Sequence, residues 1–307
     1  MHYTIRFAPS PTGYLHEGHL LSALYVWAAA LKWNLRVHLR IEDHDQSRAR
    51  PAYISGIRED LAWLGFHYDS ESIQSARTAV YEDALKKLQD KLLVYPCYCS
   101  RKQLQDENPR SETGEIIYQG KCKPFDMATS IRHPERSEGR SEVLSSNTAP
   151  HNLRFIVPDK FIDWHDIRLG DFHENPKHQC GDFPIRDRDN QWTYQFAVCV
   201  DDIDEHITHI VRGEDIRNST ARQIALMEAL GRTDRPIYLH HPLIVDENNK
   251  KLSKRELAHS LRQDKEAGIT PEMLFGRVCH KVHLTESDAP LSLQDAIALV
   301  ANTLPNL

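Results

Sequence analysis

The alternation of strands and helices in the first hundred residues places the strongest limit on the fold. Strands separated by helices favour a parallel sheet, in which ligands gather at the carboxyl ends of the strands. The helix that follows Arg50-Pro51 has a favourable start, because proline is common in the first helical turn. We therefore predict an α/β fold. The predicted strands are residues 3–8 (YTIRFA) and 35–43 (LRVHLRIED), and the predicted helices are residues 19–31, 54–64 and 81–93.

The loop between the first strand and the first helix, PSPTGYLHEGH, carries two histidines that flank a glycine. The start of a helix offers free N–H groups and a positive dipole to an anion. Gly18 lacks a Cβ and lets a ligand approach the backbone, Pro9 stiffens the loop, and the imidazoles of His16 and His19 can donate to phosphate oxygens. A lone histidine is more often a surface or packing residue. This arrangement predicts a phosphate site.

Beyond residue 94 the composition of the chain changes. Residues 95–122 carry three cysteines, whereas residues 123–150 have few core-forming side chains and a near-tandem ERSE/GRSE, typical of a low-complexity, mobile insertion. Regular structure is then predicted to return, and the last fifty residues are expected to form a small helical tail. The further predicted strands are residues 151–159, 161–169, 192–200, 207–213 and 236–245, and the further predicted helix is residues 218–231.

The overall charge and hydropathy limit the possible partners and location. The chain of 307 residues has a formal net charge of -6, which argues against a uniformly basic surface but allows a local basic face for nucleic acid. No apolar run approaches the roughly 18 residues that span a bilayer, and the N-terminus lacks the pattern of a signal peptide. We expect a cytoplasmic protein with no membrane association, and no segment indicates an obligate protein partner.

Three of the six cysteines lie close together and predict a metal site. Thiolates suit zinc, and structural zinc sites use four ligands in a tetrahedron. Cys97, Cys99 and Cys122 supply three ligands, and the phenol of Tyr118 can complete the set. The alternative is three reduced cysteines in the core, since a disulfide framework is unexpected in a chain without a secretion signal.

A second basic element, KKLSKR at residues 250–255, lies far along the chain. Such a run is usually a solvated turn, and Asn248-Asn249 before it has the chemistry of a turn. Alternatively, its ammonium groups meet the negative charge that develops on a triphosphate during a reaction. The run alone does not decide between a solvated turn and a catalytic role.

These elements together resemble the HIGH and KMSKS signatures of class I aminoacyl-tRNA synthetases. RFAPSPTGYLHEGH, LRIEDHD, WTYQFAVCVDD, IVRGED and KLSKR closely follow, in order, the catalytic domain of glutamyl-tRNA synthetases. Glu17 departs from the family, which usually has an apolar residue there; we expect it to point away from ATP. The resemblance implies a Rossmann-like catalytic domain in two halves (residues 1–94 and 191–256), an inserted zinc-binding subdomain (95–190) and a tail (257–307).

The same resemblance implies a ligase that activates glutamate with ATP and Mg²⁺. An arginine suits a substrate carboxylate because its guanidinium donates in a bidentate manner, and a glutamate suits the substrate ammonium group. His16, His19 and Lys254 are the candidate catalytic residues. The candidate glutamate-binding residues are Arg6, Ser10, Glu42, Tyr194 and Arg212. The candidate ATP-binding residues are Pro9, His16, Gly18, His19, Lys251, Ser253 and Lys254.

The short chain and its Cys-x-Cys…Tyr-x3-Cys pattern resemble the glutamyl-queuosine tRNA(Asp) synthetases. That family activates glutamate without tRNA and transfers it to the queuosine base in the anticodon of tRNA(Asp), so the implied partners are L-glutamate, ATP and queuosine-modified tRNA(Asp). The alternatives are a truncated glutamyl-tRNA synthetase that charges a 3′ end, a binding protein without catalysis, and an unrelated zinc module. An RNA partner requires a basic face, which we expect to include Arg217, Arg222, Arg232, Arg235 and the lysines around residue 250.

Overall fold

A computed structural model describes residues 3–124, 150–245 and 259–307. Residues 125–149 of the predicted insertion and the whole KKLSKR run lie outside these ranges. The strands are β1 (Thr4–Phe7), β2 (Arg36–Ile41), β3 (Ser70–Ile73), β4 (Val94–Cys97), β5 (Asn152–Phe155), β6 (Ile162–Asp166), β7 (Gly170–Glu174), β8 (Pro184–Arg186), β9 (His209–Gly213) and β10 (Ile237–His241). The helices are α1 (Glu17–Trp33), α2 (Pro51–Leu64), α3 (Thr78–Asp90), α4 (Arg101–Glu107), α5 (Pro176–Cys180), α6 (Tyr194–Asp204), α7 (Thr220–Ala229), α8 (Leu261–Glu266), α9 (Pro271–Lys281) and α10 (Leu293–Thr303).

The main sheet of the described part has seven strands in the order β3-β2-β1-β9-β10-β6-β7. All neighbouring pairs are parallel except the β6–β7 hairpin. The chain runs outward from β1 through β2 to β3, and β9 lies on the other side of β1. The strand order therefore reverses between β1 and β9, which is where doubly wound sheets form a ligand crevice. The predicted α/β fold with a mainly parallel sheet is confirmed.

Helix α1 connects the crevice to the core of the molecule. Ten of its side chains, from Leu20 to Ala30, are buried, because the Leu- and Ala-rich sequence is apolar around most of the helix. The helix packs against β1 and β9 on one side and against α9 and α10 on the other. It ends at Asn34, whose left-handed backbone (φ 53°) suits asparagine. The start of α1 is therefore held between the sheet and the C-terminal helices, which confirms the predicted helical tail.

A smaller antiparallel sheet, β4-β5-β8, stands beside the main one. Its end carries a cluster of Tyr95, Cys97, Cys99 and Tyr118. Strands β6 and β7 fall inside the predicted inserted subdomain, but they pair with the main sheet through β10. The predicted boundaries at residues 94, 190 and 256 remain predictions.

One predicted element is wrong. Residues 192–200 were expected to form a strand, but the chain is helical from Tyr194 to Asp204. Every side chain from Phe196 to Asp202 is buried, so the run lacks the polar face that would reveal a helical period. Because a short apolar run fits a buried strand and a buried helix equally well, packing rather than local pattern decides. No helix in the described ranges is long and apolar enough to cross a membrane.

Candidate active site

A cavity of about 1020 Å³ opens at the carboxyl ends of β1, β2 and β9. The start of α1 and the first residue of α6 contribute to its wall, together with Tyr53 of α2 and Arg262, Gln263 and Glu266 of α8. Gly18 is not among the lining residues, and Lys251, Ser253 and Lys254 lie outside the described residues. The cavity brings together eight of the predicted site residues: Arg6, Pro9, Ser10, His16, His19, Glu42, Tyr194 and Arg212.

Arg212 at the end of β9 is buried and has polar but uncharged partners. Its Nη1 donates to Oε1 of Gln223 at 2.7 Å, and its Nη2 donates to Oγ1 of Thr220 at 2.8 Å. Its Nε donates to Nε2 of His240 at 3.0 Å. Within the described ranges, no carboxylate lies at ion-pair distance from this guanidinium. A buried charge without a counter-charge is costly, so the site favours an anionic ligand beside Arg212.

Arg6 in β1 lines the same cavity but already has an acidic partner. Its Nε donates to Oδ1 of Asp202 at 3.0 Å, and its Nη1 donates to the carbonyl oxygen of Val211 at 3.3 Å. Asp202 is buried in α6. Although burial alone would raise its pKa, Arg6 and Arg40 lower the pKa of Asp202 below its usual value. The charge of Arg6 is therefore largely offset, unlike that of Arg212.

Glu42 follows β2 and is buried at the floor of the cavity. Its backbone N–H donates to the carbonyl oxygen of Pro9 at 3.1 Å, which joins the two strand ends. Burial raises the pKa of Glu42 to about 7, although Arg40, at 3.7 Å, and Arg6 favour the carboxylate. Arg40 itself is held by Asp202 and Glu205, each at 2.6 Å. Glu42 is therefore only partly compensated, and a cationic group in the cavity would favour its charged form.

Tyr194 begins α6 opposite these charges. Burial raises the pKa of its phenol, and nearby Glu42 raises it further, while Arg212 lowers it. The hydroxyl therefore stays protonated at neutral pH and can donate a hydrogen bond to an anion.

The two histidines cap the start of α1. The N–H of Gly18 donates to Nδ1 of His16 at 3.1 Å, and the N–H of His16 donates to Nδ1 of His19 at 3.2 Å. Burial and the neighbouring His16 lower the pKa of His19 to about 3, so this ring is neutral. A neutral ring that accepts at Nδ1 carries its proton on Nε2, and that N–H is suited to an oxygen acceptor.

Gly18 has a local steric role in this cap. A Cβ at this position would lie 3.0 Å from Cε1 of His16 and 3.1 Å from its Nδ1. The absence of a Cβ at Gly18 therefore makes room for the imidazole of His16. The sequence analysis had predicted that it makes room for a ligand.

The predicted metal ligands come together beside the small sheet. The sulfur atoms of Cys97, Cys99 and Cys122 all lie within 4.8 Å of one another. The Tyr118 oxygen lies 3.4 Å from Sγ of Cys97 and 3.7 Å from Sγ of Cys99, and the sulfurs of Cys99 and Cys122 are 3.5 Å apart. In a tetrahedral zinc site, an oxygen ligand at about 2.0 Å and a sulfur ligand at about 2.3 Å are about 3.5 Å apart, and two sulfur ligands are about 3.8 Å apart. The group fits a metal ion of this size.

The surrounding residues hold Tyr118 in this position. The guanidinium of Arg154 lies over its ring, 3.9 Å from the centroid. The backbone of Gly181 pairs with Tyr118, and a Cβ at residue 181 would lie 2.1 Å from the Tyr118 carbonyl oxygen. With a φ of +64°, residue 181 also has the left-handed backbone that favours glycine.

Comparison with known proteins agrees with the geometry. A family model of class I tRNA synthetases (E and Q), catalytic domain, matches residues 2–294. The glutamyl-Q tRNA(Asp) synthetase of Neisseria gonorrhoeae is 37% identical over 294 residues, which are 95% of this chain and 93% of that protein. The enzyme of the same name from Nitratidesulfovibrio vulgaris is 34% identical over 98% of this chain and 93% of its own length. The chain belongs to the glutamyl-Q tRNA(Asp) synthetase family.

Longer synthetases match only in part. The glutamate–tRNA ligase of Aquifex aeolicus is 38% identical over 89% of this chain, but the chain spans only 56% of the ligase. The solved glutamate-tRNA synthetase of Elizabethkingia anophelis has a TM-score of 0.75 and 27% identity, with 98% of this chain and 66% of that chain covered. The resemblance to class I synthetase catalytic domains is confirmed, and this synthetase-family chain is an enzyme of the ligase type.

Four arginines of this glutamyl-Q tRNA(Asp) synthetase family member were predicted to lie on a basic face, and the prediction is wrong for two of them. Arg222 is buried and forms two 2.5 Å hydrogen bonds with Glu115. The side chain of Arg232 is also buried and pairs with Asp234 at 2.9 Å. Arg222 lies in helix α7, and its side chain does not reach solvent because this helix packs into the core. Arg217 and Arg235 are partly exposed, each within ion-pair distance of a glutamate.

The sequence analysis gave no role to Asp202 or His240, which hold Arg6 and Arg212 in the cavity. Asp202 stands in the quoted motif VCVDD, where two adjacent acids within an apolar run are unusual for a buried segment. His240 lies in the strand YLHHP. A polar residue in an otherwise apolar strand is the sequence feature that could have identified each of them.

Proposed function

We propose that the protein activates L-glutamate with ATP and Mg²⁺ to glutamyl-adenylate, without tRNA, and transfers the glutamate to the queuosine base in the anticodon of tRNA(Asp). The observation that carries this proposal is the uncompensated guanidinium of Arg212 in the same cavity as Glu42 and the His16–His19 cap. These groups are complementary to an amino acid that carries a second carboxylate and that binds next to the phosphates of a nucleotide.

In this proposal glutamate binds at the strand ends. Arg212 and the Tyr194 hydroxyl receive its side-chain carboxylate, and Glu42 pairs with its ammonium group. Arg6 and Ser10 line the remaining wall and orient the reacting carboxylate. Aspartate is one methylene too short to reach both ends, and glutamine lacks the charge that Arg212 requires. The wrong substrate would leave buried charged groups of the site unpaired. The free-energy cost of these unpaired groups makes the site selective.

ATP binds along the start of α1 in the same proposal. The Nε2–H groups of His16 and His19 and the helix dipole hold phosphate oxygens. A glutamate carboxylate oxygen attacks the α-phosphorus, the bond to the bridging oxygen breaks, and pyrophosphate leaves. Positioning and charge stabilisation are the main contributions that such a reaction requires.

The remaining ATP-binding residues rest on the sequence resemblance. We assign Pro9 and Gly18 to the shape of the loop and Lys251, Ser253 and Lys254 to the departing pyrophosphate. The last three lie outside the described residues.

The metal site holds one structural zinc ion in this proposal. Cys97, Cys99, Tyr118 and Cys122 are its ligands, supported by the spacing of their sulfur and oxygen atoms. When bound, zinc would fix the loop of residues 99–122 to the end of β4. It supplies structure and takes no part in the transfer reaction.

The acceptor rests on the named relatives, whose length this chain spans to 93%. The hydroxyl oxygen of the queuosine cyclopentenediol attacks the carbonyl carbon of glutamyl-adenylate, AMP leaves, and a proton is lost. A cytoplasmic location is part of the proposal, supported by the free thiols of all six cysteines in the described ranges.

Glutamate-dependent exchange between ATP and pyrophosphate, measured without tRNA, tests the first step. Glutamate should support exchange, and glutamine and aspartate should not; robust exchange with glutamine would contradict the assignment. Labelled glutamate should then appear on tRNA(Asp) that contains queuosine and not on the same RNA with guanine. Charging of tRNA(Glu) at its 3′ end would instead indicate a truncated glutamyl-tRNA synthetase.

A further inference from the structure

Glu17 places a negative charge between the two histidines at the start of α1. Its side chain does not line the cavity but contacts helix α9. We propose that Arg277 and Lys281 of α9 neutralise Glu17 and are positioning residues for nucleotide binding. Without these two cations, an acid at this helix start would oppose the phosphates of ATP. The inference rests on the proposed nucleotide site.

The contacts of Glu17 are direct. Its Oε1 lies 3.3 Å from Nη1 of Arg277, and its Oε2 accepts a short hydrogen bond from Nζ of Lys281. The carboxylate is largely buried, with 12% of its side chain exposed. Both cations are on α9, about 260 residues away in sequence. The pairing of Glu17 therefore depends on the docking of the C-terminal helices.

Further contacts fix that docking on either side of His16. The backbone N–H of Leu261 donates to the carbonyl oxygen of Leu15 at 2.8 Å, and the guanidinium of Arg262 lies 4.6 Å from the ring centroid of Tyr14. Helix α8 thus holds the loop before His16, and α9 holds Glu17 after it. These contacts keep α9 next to the acid.

Arg277 is also shared with a second acid. Its Nη1 lies 3.2 Å from Oδ1 of Asp264, a buried residue in α8. Asp264 also has His259 nearby, with Nε2 3.3 Å from its Oδ1. Lys281 gives Glu17 a cation that Asp264 does not share.

The charge of Glu17 matters because of its position. An acid in the first helical turn complements the helix dipole, but it opposes an anion that binds at the same end. Neutralisation by α9 keeps the acid at the positive end of the helix dipole and removes its repulsion of a bound anion. In this chain the acid at the first position of α1 is held as an ion pair with α9.

The test uses the full-length protein with Arg277→Gln and Lys281→Gln combined, and the same pair with Glu17→Gln added. The KM for ATP should rise about threefold to tenfold in the double variant at low salt, and the increase should shrink at high salt. The turnover number and the KM for glutamate should stay within about twofold of wild type. Adding Glu17→Gln should return the KM for ATP to near the wild-type value. A merely structural role of the ion pairs would also be relieved by Glu17→Gln, but it would lower the unfolding temperature of the double variant and give no salt-dependent change in its KM for ATP.

The matched control is Arg58→Gln, which removes a comparable ion pair with Glu71 outside the cavity. An unchanged KM for ATP in the double variant would overturn the inference, as would a triple variant that binds ATP as weakly as the double one. Calorimetric titration of ATP gives the same comparison without catalysis. A wild-type protein that binds ATP but shows no exchange would contradict the proposed function, and the titrations would still decide the role of α9.

Discussion

The Nε of Arg212 donates to Nε2 of His240 at 3.0 Å, and Nδ1 of His240 lies 2.7 Å from Oδ2 of Asp166. Burial lowers the pKa of His240, although the hydrogen bond with Asp166 opposes this effect. Because Nε2 accepts from Arg212, the proton is on Nδ1 and is donated to Asp166. The β6–β7 hairpin thereby sets the direction of the guanidinium in the cavity.

Arg212→Lys should raise the KM for glutamate about tenfold to a hundredfold and change turnover at saturation much less, since a lysine cannot keep three directed hydrogen bonds. Pyrophosphate exchange at varied glutamate measures the effect. Arg58→Lys, which leaves the cavity unchanged, is the control. An unchanged KM would mean that glutamate does not contact Arg212.

The KM for glutamate should depend on pH through Glu42. Burial raises the pKa of this group to about 7, and only the carboxylate can pair with the substrate ammonium. The KM should therefore be constant above about pH 8 and rise roughly tenfold per pH unit well below pH 7. Exchange assays between pH 5.5 and 8.5 measure it. Glu42→Gln should have a high KM with no such dependence, and a pH-independent wild type would contradict the role of Glu42.

Asp60→Asn should stabilise the protein at neutral pH. Asp60 in α2 is buried, its Oδ2 has no hydrogen-bond partner among the described residues, and burial raises its pKa to about 6. The folded state therefore holds the proton more tightly than the unfolded state, and stability falls as pH rises from about 4 to 6. The free energy of unfolding should increase by about 1–3 kcal/mol at pH 7.5.

Urea unfolding at two pH values distinguishes the removal of the Asp60 charge from a stabilisation that does not depend on pH. The gain from Asp60→Asn should nearly vanish at pH 4, where Asp60 is protonated in the folded wild-type protein. Glu59→Gln, on the exposed side of the same helix, should show no comparable gain. Equal stability of wild type and Asp60→Asn at pH 7.5 would show that the carboxylate is solvated or paired.

Cys99→Ser should release zinc from the protein and increase proteolysis within residues 95–124. Metal analysis of protein purified without chelators should find about one zinc per chain in wild type, as expected for a four-ligand site. Cys279→Ser, which changes a buried thiol in α9, should retain the metal. Absence of zinc from the wild type would make these cysteines ordinary core residues.

The sequence was sufficient to predict the crevice because strand ends are local features. Glu42 was placed at a strand end by the pattern, Arg6 and Arg212 were added by the resemblance, and a parallel sheet brings such ends together. Their partners were not predictable, since Asp202 is 196 residues from Arg6 and no local pattern relates them. Arg6 has a carboxylate partner, whereas the described partners of Arg212 are uncharged. This difference arises only from tertiary packing.

The strand predicted at residues 192–200 failed for a related reason. Helix α6 is buried on nearly all sides, so its apolar pattern carries no period. Arg222 and Arg232 were assigned to a surface for the same lack of tertiary information. In each case the neighbours across the fold determine exposure.

Gly181 contributes no atom to the metal group, yet it controls how many ligands can assemble there. Any side chain at this position would strike the Tyr118 carbonyl oxygen and push the phenol away from the sulfurs. Three cysteine ligands would remain, one fewer than the four that a structural zinc site uses. Within the family, the residue at position 181 should therefore vary together with the presence of the tyrosine ligand.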